Sequence, residues 1–270
     1  MIGALYLKEL RLNRNQFAIW AAIIVGLIAM TMAAMPSMLK SSTSVASFIE
    51  AFPPEFLKAF NFDASSFGSP LGFAVVYNMI YTMLLGSIFS ITITARTLHR
   101  EHAERTAEFL LVRPISRTAV FLVKSLAWLT LLAGMNAVLF AAGAASLAAF
   151  TPPGFTWSLH DYGVVSAYAA LIMLALGGVG LLLSVLARRA RSLTGPAIGI
   201  VLGLYLLDIV AKMTEDYGAI GWASPFKWLD TGVTRAGYDL AWWRAALFLG
   251  LFAVTAVAAL LAWRRKDILA

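Results

Sequence analysis

Long apolar stretches alternate with short polar ones along the chain, and six apolar runs stand out: 17–35, 71–95, 119–150, 162–187, 193–211 and 241–263. A bilayer core about 30 Å thick takes about 20 helical residues at about 1.5 Å each, so each run suffices to cross one. Inside hydrocarbon every backbone donor and acceptor must be satisfied along the segment, which predicts six helices. The expected fold is an all-α integral membrane protein, one transmembrane domain over residues 1–270. Sixteen residues containing Lys8, Arg11 and Arg14 precede the first run. That run exceeds the apolar part of a cleavable signal, about 7–15 residues, so it reads as a retained span.

Composition removes the soluble alternatives. Apolar side chains make up 60% of the sequence and charged ones 13%, with a mean hydropathy of +0.80; soluble domains sit nearer about 45–50% apolar. There is no cysteine, hence no disulfide framework, thiolate metal site or cysteine nucleophile.

A net charge of +7 and a pI of 9.8 would point to nucleic acid if the basic residues shared one exposed face. Threaded through six spans they sort by side instead. Fifteen Lys and Arg fall on the side of the termini, with five acidic residues; six fall on the other, with nine. Basic flanks stay cytoplasmic, so both termini are expected inside, in a multi-pass protein of the cytoplasmic membrane. The excess then follows topology and attraction to anionic lipid, with no nucleic-acid partner.

Residues 1–16 set Ile2, Leu5, Leu7, Leu10 and Leu12 among Lys8, Glu9, Arg11 and Arg14, an imperfect amphipathic pattern that predicts an interfacial helix. In the first outer loop, Pro53-Pro54-Glu55 suits the opening turn of a short surface helix. The loop 96–117 is the richest. Arg100 with Glu104 and Glu101 with Arg105 are opposite charges at i,i+4. Phe109, Leu110, Leu111 and Val112 follow as an apolar run, and Pro114 ends the helix by biasing Arg113 away from it. Ser116 or Thr118 is placed to cap the next span. The prediction is a short charged helix with an apolar end that needs a cover, either a partner or the bundle itself. The second inner loop carries Arg188, Arg189 and Arg191, explained by anchoring and open to a partner contact.

Within the spans, Gly195, Gly199 and Gly203 recur every fourth residue on one face, a packing surface for another helix of this chain or of a second copy. Gly177, Gly178, Gly180 and the stretch 141–145 extend the theme. Asp208 with Lys212 reads as a paired interfacial aspartate. Lys124 and Arg244 lie near span ends, where long side chains snorkel to the interface, and Asn78 and Asn136 are candidates to join helices. Residues 214–240, rich in Tyr217, Trp222, Phe226, Trp228 and Tyr238, are expected to form interfacial helices or a cap.

The scarcity of ionisable groups inside the spans argues against a secondary transporter, which needs ion sites or broken helices at mid-membrane. His99, His102 and His160 lack a metal constellation, no His-Glu-x-x-His occurs and no set of nucleophile, base and oxyanion donors is found. No phosphate-binding Gly-x-x-x-x-Gly-Lys-Ser/Thr loop occurs either. The chain is therefore not expected to be an enzyme; energy for uphill movement must enter through another subunit, and the helix ending at Val112 is the natural docking point.

Glu101, Glu104, Thr106, Leu110, Leu111, Pro114, Ser116, Arg117 and Lys124 together resemble the coupling-loop pattern of the type-2 ABC transporter permeases. Lys8-Glu9-Leu10, the order of six spans, Ser224-Pro225-Phe226 and Arg264-Arg265-Lys266-Asp267 resemble that family's layout across essentially the whole chain. Arg105 departs from it, standing where a glycine commonly precedes the threonine. The resemblance implies a permease subunit of an ATP-driven exporter, paired with a second permease chain as homodimer or heterodimer, on two cytoplasmic ATPase subunits. ATP and Mg would belong to those subunits, with no cofactor or metal in this chain. It further implies ATPase coupling through Glu101, Glu104, Arg105, Thr106, Phe109, Leu110, Leu111, Pro114 and Arg117, and a smaller contact at Arg188, Arg189 and Arg191. The transport path would lie at the permease interface around spans one and five, beside Gly195, Gly199 and Gly203. A nonionic path suits hydrophobic or amphipathic cargo. The alternatives are a membrane scaffold, an ATPase-independent channel or an intramembrane enzyme.

Overall fold

The computed structural model describes residues 2–40, 53, 57, 68–98, 116–187, 192–213 and 218–265. Six helices among them are long and apolar enough to cross a membrane: α1 Ile2–Lys40, α2 Pro70–Thr97, α3 Arg117–Phe150, α4 Leu159–Leu186, α5 Thr194–Met213 and α6 Trp242–Arg265. They coincide with the six apolar runs to within a few residues at nearly every boundary. No strand occurs among the described residues.

The ends follow local chemistry. Ser69 caps α2 by accepting from the Gly72 amide at 3.0 Å, and Pro70 opens the helix where its missing donor costs nothing. Ser116 caps α3 from the Ala119 amide at 3.2 Å, so of the two residues expected to do this it is Ser116 that does. Ser158 caps α4, with Asp161 in the first turn to complement the helix dipole. In α2 the turn Val75–Met79 is a π-helix. It carries Asn78, whose Oδ1 accepts from Thr31 Oγ1 and joins α2 to α1. Asn136 instead donates to the Leu132 carbonyl of its own helix at 2.9 Å.

One boundary expected from the sequence is absent. Residues 2–16 are not set off as an interfacial helix; they are the first turns of α1, which runs unbroken for 39 residues, about 58 Å at about 1.5 Å per residue. No proline or glycine stands near Gln16 to break it. The surface helix expected at Pro53–Phe60 falls largely outside the described residues.

α2 and α4 form the centre, with most of their apolar lengths buried, while α1, α3, α5 and α6 each keep a broad exposed apolar face. Glycines on α4 set the spacing. A Cβ at Gly177 would come within 2.6 Å of Ser90 Oγ on α2 and would collide with the Trp128 ring on α3. One at Gly178 would come within 2.5 Å of Thr255 Oγ1 on α6, and one at Gly180 within 2.7 Å of the Ile91 carbonyl oxygen on α2. Each glycine is thus a notch for a neighbour, the close approach that drives association in lipid where no hydrophobic difference exists. α2 answers with buried hydroxyls: Thr82, Ser87, Ser90, Thr92, Thr94 and Thr97.

Ser90 joins three of these helices. Its Oγ donates to the Met173 carbonyl of α4 at 2.6 Å and accepts from Trp128 Nε1 of α3 at 3.2 Å. Ser90→Ala leaves the buried indole N–H without this partner and is expected to lower stability by about 1–2 kcal/mol, measurable as an earlier unfolding midpoint in micelles.

Candidate functional site

The candidate site is the end of the bundle from which segment 99–115 emerges. Of the residues expected to couple to an ATPase, Glu101, Glu104, Arg105, Thr106, Phe109, Leu110, Leu111 and Pro114 lie outside the described residues, as do Arg188, Arg189 and Arg191 of the second loop. The structure describes the two roots of the segment: Thr97 and Leu98 closing α2, and Ser116 with Arg117 opening α3.

Both roots are tied to other helices. Trp263, near the end of α6, donates from Nε1 to the Arg117 carbonyl at 3.0 Å. Lys124, two turns into α3, is buried; its Nζ donates to Glu9 Oε1 on α1 at 2.8 Å and to the Thr97 carbonyl at 2.9 Å. The Glu9 side chain is only 6% exposed and that of Lys124 only 2%. The snorkelling expected for Lys124 is thereby corrected. A carboxylate and a helix-terminal carbonyl inside the bundle give the ammonium both of its partners, so it stays inside instead of reaching for the interface.

α1 brings its carboxylate inward on a stripe of residues spaced four apart. Leu5, Glu9 and Asn13 are buried on one face, and Asn13 Nδ2 donates to the Glu9 carbonyl at 2.9 Å. One turn further, Gln16 bridges to α2: Nε2 donates to Thr92 Oγ1 at 3.5 Å and Oε1 accepts from Arg96 Nη1 at 3.4 Å. The exposed apolar residues of this stretch, Ile2, Leu7 and Leu12, face away.

The glycine ladder is on the surface. Gly195, Gly199 and Gly203 are exposed, and a Cβ placed on any of them meets nothing within 4 Å. α5 packs inward through Ala197, Val201, Asp208 and Ala211 instead. Leu202, Leu206 and Val210 continue the outward face. The ladder therefore packs against no other helix among the described residues.

At the opposite end, residues 218–241 cap the helices. Ser224 starts the short 3-10 turn Pro225–Trp228 by accepting from the Phe226 amide at 3.2 Å, and its Oγ donates to the Leu204 carbonyl of α5 at 2.7 Å. Phe226 meets Tyr205 edge-on and Trp228 meets Phe248 likewise. Arg244 reaches the Leu229 carbonyl at 2.7 Å, and Tyr168 accepts from the Ala241 amide at 3.0 Å. Burial, and then the Asp230 carboxylate, push the Tyr238 hydroxyl above its ordinary range. That hydroxyl donates to the Asp230 carbonyl at 2.6 Å. Asp208 pairs with Lys212 at 2.6 Å, the expected i,i+4 pair.

The family model described as ABC-2 family transporter protein matches residues 3–268. This chain belongs to that family. No curated protein matches it significantly. As an ABC-2 membrane protein it is a multi-pass permease component, of a family that associates with ABC ATPase subunits.

Sequence reasoning missed Glu9 as a buried partner and the buried hydroxyls of α2. The first had no local signal, because its counterion lies 115 residues away. The second did: six Ser and Thr between positions 82 and 97 of a spanning run mark a helix turned toward protein on more than one side.

Proposed function

We propose that this ABC-2 permease is the membrane subunit of an ATP-driven exporter, with both termini and segment 99–115 in the cytoplasm. The observation that carries the reading is the family match over residues 3–268, essentially the whole chain. In this reading Glu101, Glu104, Arg105, Thr106, Phe109, Leu110, Leu111, Pro114 and Arg117 engage the ATPase, with Arg188, Arg189 and Arg191 as a smaller contact. ATP and Mg act in the partner subunits. A second permease chain packs along Gly195, Gly199 and Gly203, where the exposed small-residue face of α5 admits close approach. The cargo is hydrophobic or amphipathic, consistent with the scarcity of charge in the spans.

Chemistry in such a permease is conformational. ATP-driven closure of the ATPase pair moves the docked segment as a rigid body, and the spans rooted in it follow. The test is Leu110→Asp with Leu111→Asp. The expected result is normal membrane insertion with loss of ATPase co-purification, since two carboxylates in an apolar contact are desolvated without partners. A complex that still assembles and transports at the parent level overturns the assignment.

A further inference from the structure

Segment 99–115 is suspended between the last residues of α2 and the first of α3, so a push on it is passed on only as well as those two roots hold together. We infer that Lys124 and Glu9 are positioning residues that lock both roots to α1, so that α1, α2 and α3 move as one body when the segment is driven. The inference rests on the coupling reading above and names how that movement is transmitted.

The arrangement is specific. Thr97 is the last residue of α2, where carbonyls lack partners within the helix and the dipole is negative. Lys124 Nζ meets that carbonyl at 2.9 Å while standing two turns inside α3, the helix at the other end of the segment. The same ammonium holds Glu9 of α1 at 2.8 Å. One buried cation therefore touches three helices behind the segment. Among the described residues it forms the only ion pair between two membrane-crossing helices.

Stability alone does not call for it, because a buried ion pair is commonly replaced by apolar side chains without loss. What an apolar pair cannot supply is a fixed donor on the Thr97 carbonyl. Gln16, bridging Thr92 and Arg96, reinforces the same seam between α1 and α2.

The experiment uses the full permease in lipid nanodiscs with its co-purifying ATPase subunit. The chain has no cysteine, so Ile220→Cys, at an exposed position at the far end of the bundle, carries an environment-sensitive fluorophore. In that background ATP is expected to change the fluorescence. Glu9→Leu with Lys124→Met should insert, keep the ATPase subunit and hydrolyse ATP, yet lose the ATP-dependent change. The charge swap, Glu9→Lys with Lys124→Glu, should lose it as well: the ion pair returns, but the carboxylate from Lys124→Glu repels the Thr97 carbonyl.

A full ATP-dependent change in either variant overturns the inference. So does loss of ATPase binding in the apolar variant, which makes the pair part of docking, and so does failure of both variants to insert, which makes it a requirement of folding. If the parent chain retains no ATPase subunit at all, the coupling reading itself fails, an outcome distinct from the others.

Discussion

Gly180→Leu is expected to abolish the folded permease, whereas Gly199→Leu, the same chemical change on the next span, leaves the chain folded. Both glycines are helical and both lie in apolar segments. At Gly180 the first added carbon comes within 2.7 Å of the Ile91 carbonyl oxygen. That oxygen belongs to the backbone of α2 and cannot rotate aside, so α2 and α4 must separate, and the bonds Ser90 makes to Met173 and Trp128 are strained with them. Overpacking alone costs about 1–3 kcal/mol, and loss of a three-helix junction raises the total above about 3 kcal/mol. At Gly199 a Cβ meets nothing, and leucine is a better helix former than glycine by nearly 1 kcal/mol. The measurement is the monodisperse fraction after extraction, together with the unfolding midpoint. Gly180→Leu should give aggregate, and Gly199→Leu should match or exceed the parent. In the dimer proposed above, Gly199→Leu weakens pairing between two chains without touching either fold, which cross-linking in the membrane reads separately.

That contrast marks how far the sequence could be read. The number and approximate bounds of the six helices were legible because lipid leaves the backbone almost no choice: a run of about 20 apolar residues must be a helix, and a run between polar flanks has visible ends. Which face of each helix turns inward was not. Gly195, Gly199 and Gly203 show the cleaner four-residue spacing, yet they face outward; Gly177, Gly178 and Gly180 are irregularly spaced because they serve several neighbours, α2 and α3 at Gly177, α6 at Gly178 and α2 at Gly180. In water the polar face of a helix announces the outside, but between lipid and protein both faces are apolar and the signal vanishes.

The N-terminal stretch shows the opposite failure. Reading Glu9 as part of a wet charged face follows from amphipathic logic, which assumes that charge seeks solvent. Leu5, Glu9 and Asn13 instead make the inward stripe, because a lysine arriving from α3 and the free end of α2 replace the water that Glu9 would otherwise need. Only the tertiary fold brings that partner within reach. Ser116, by contrast, was readable as a cap from its place before the apolar run, since capping is local. The same division applies to the roots of segment 99–115: the cap at Ser116 is local, while the frame that holds the roots is made of contacts distant in sequence.

Lys124→Ala is the second change with a large expected effect, and its sign depends on what is removed with it. Alone, it leaves the Glu9 carboxylate, whose side chain is 6% exposed, beside the Thr97 carbonyl, two acceptors stripped of their shared donor. Breaking one side of a buried pair costs about 3–5 kcal/mol, because the remaining charge is neither solvated nor matched. Removing both charges eliminates that penalty along with the attraction. Unfolding midpoints measured in one detergent should therefore rank the parent close to Glu9→Leu with Lys124→Met, and both well above Lys124→Ala. Equal stability of Lys124→Ala and the parent would mean that water reaches Glu9 and that the α1–α3 seam is open. A double variant as weak as the single one would mean that the ammonium stabilises the fold chiefly through the Thr97 carbonyl rather than through its carboxylate partner. The stability ranking and the fluorescence experiment are independent: one asks what the pair costs to break, the other whether the spans still follow the segment once it is gone.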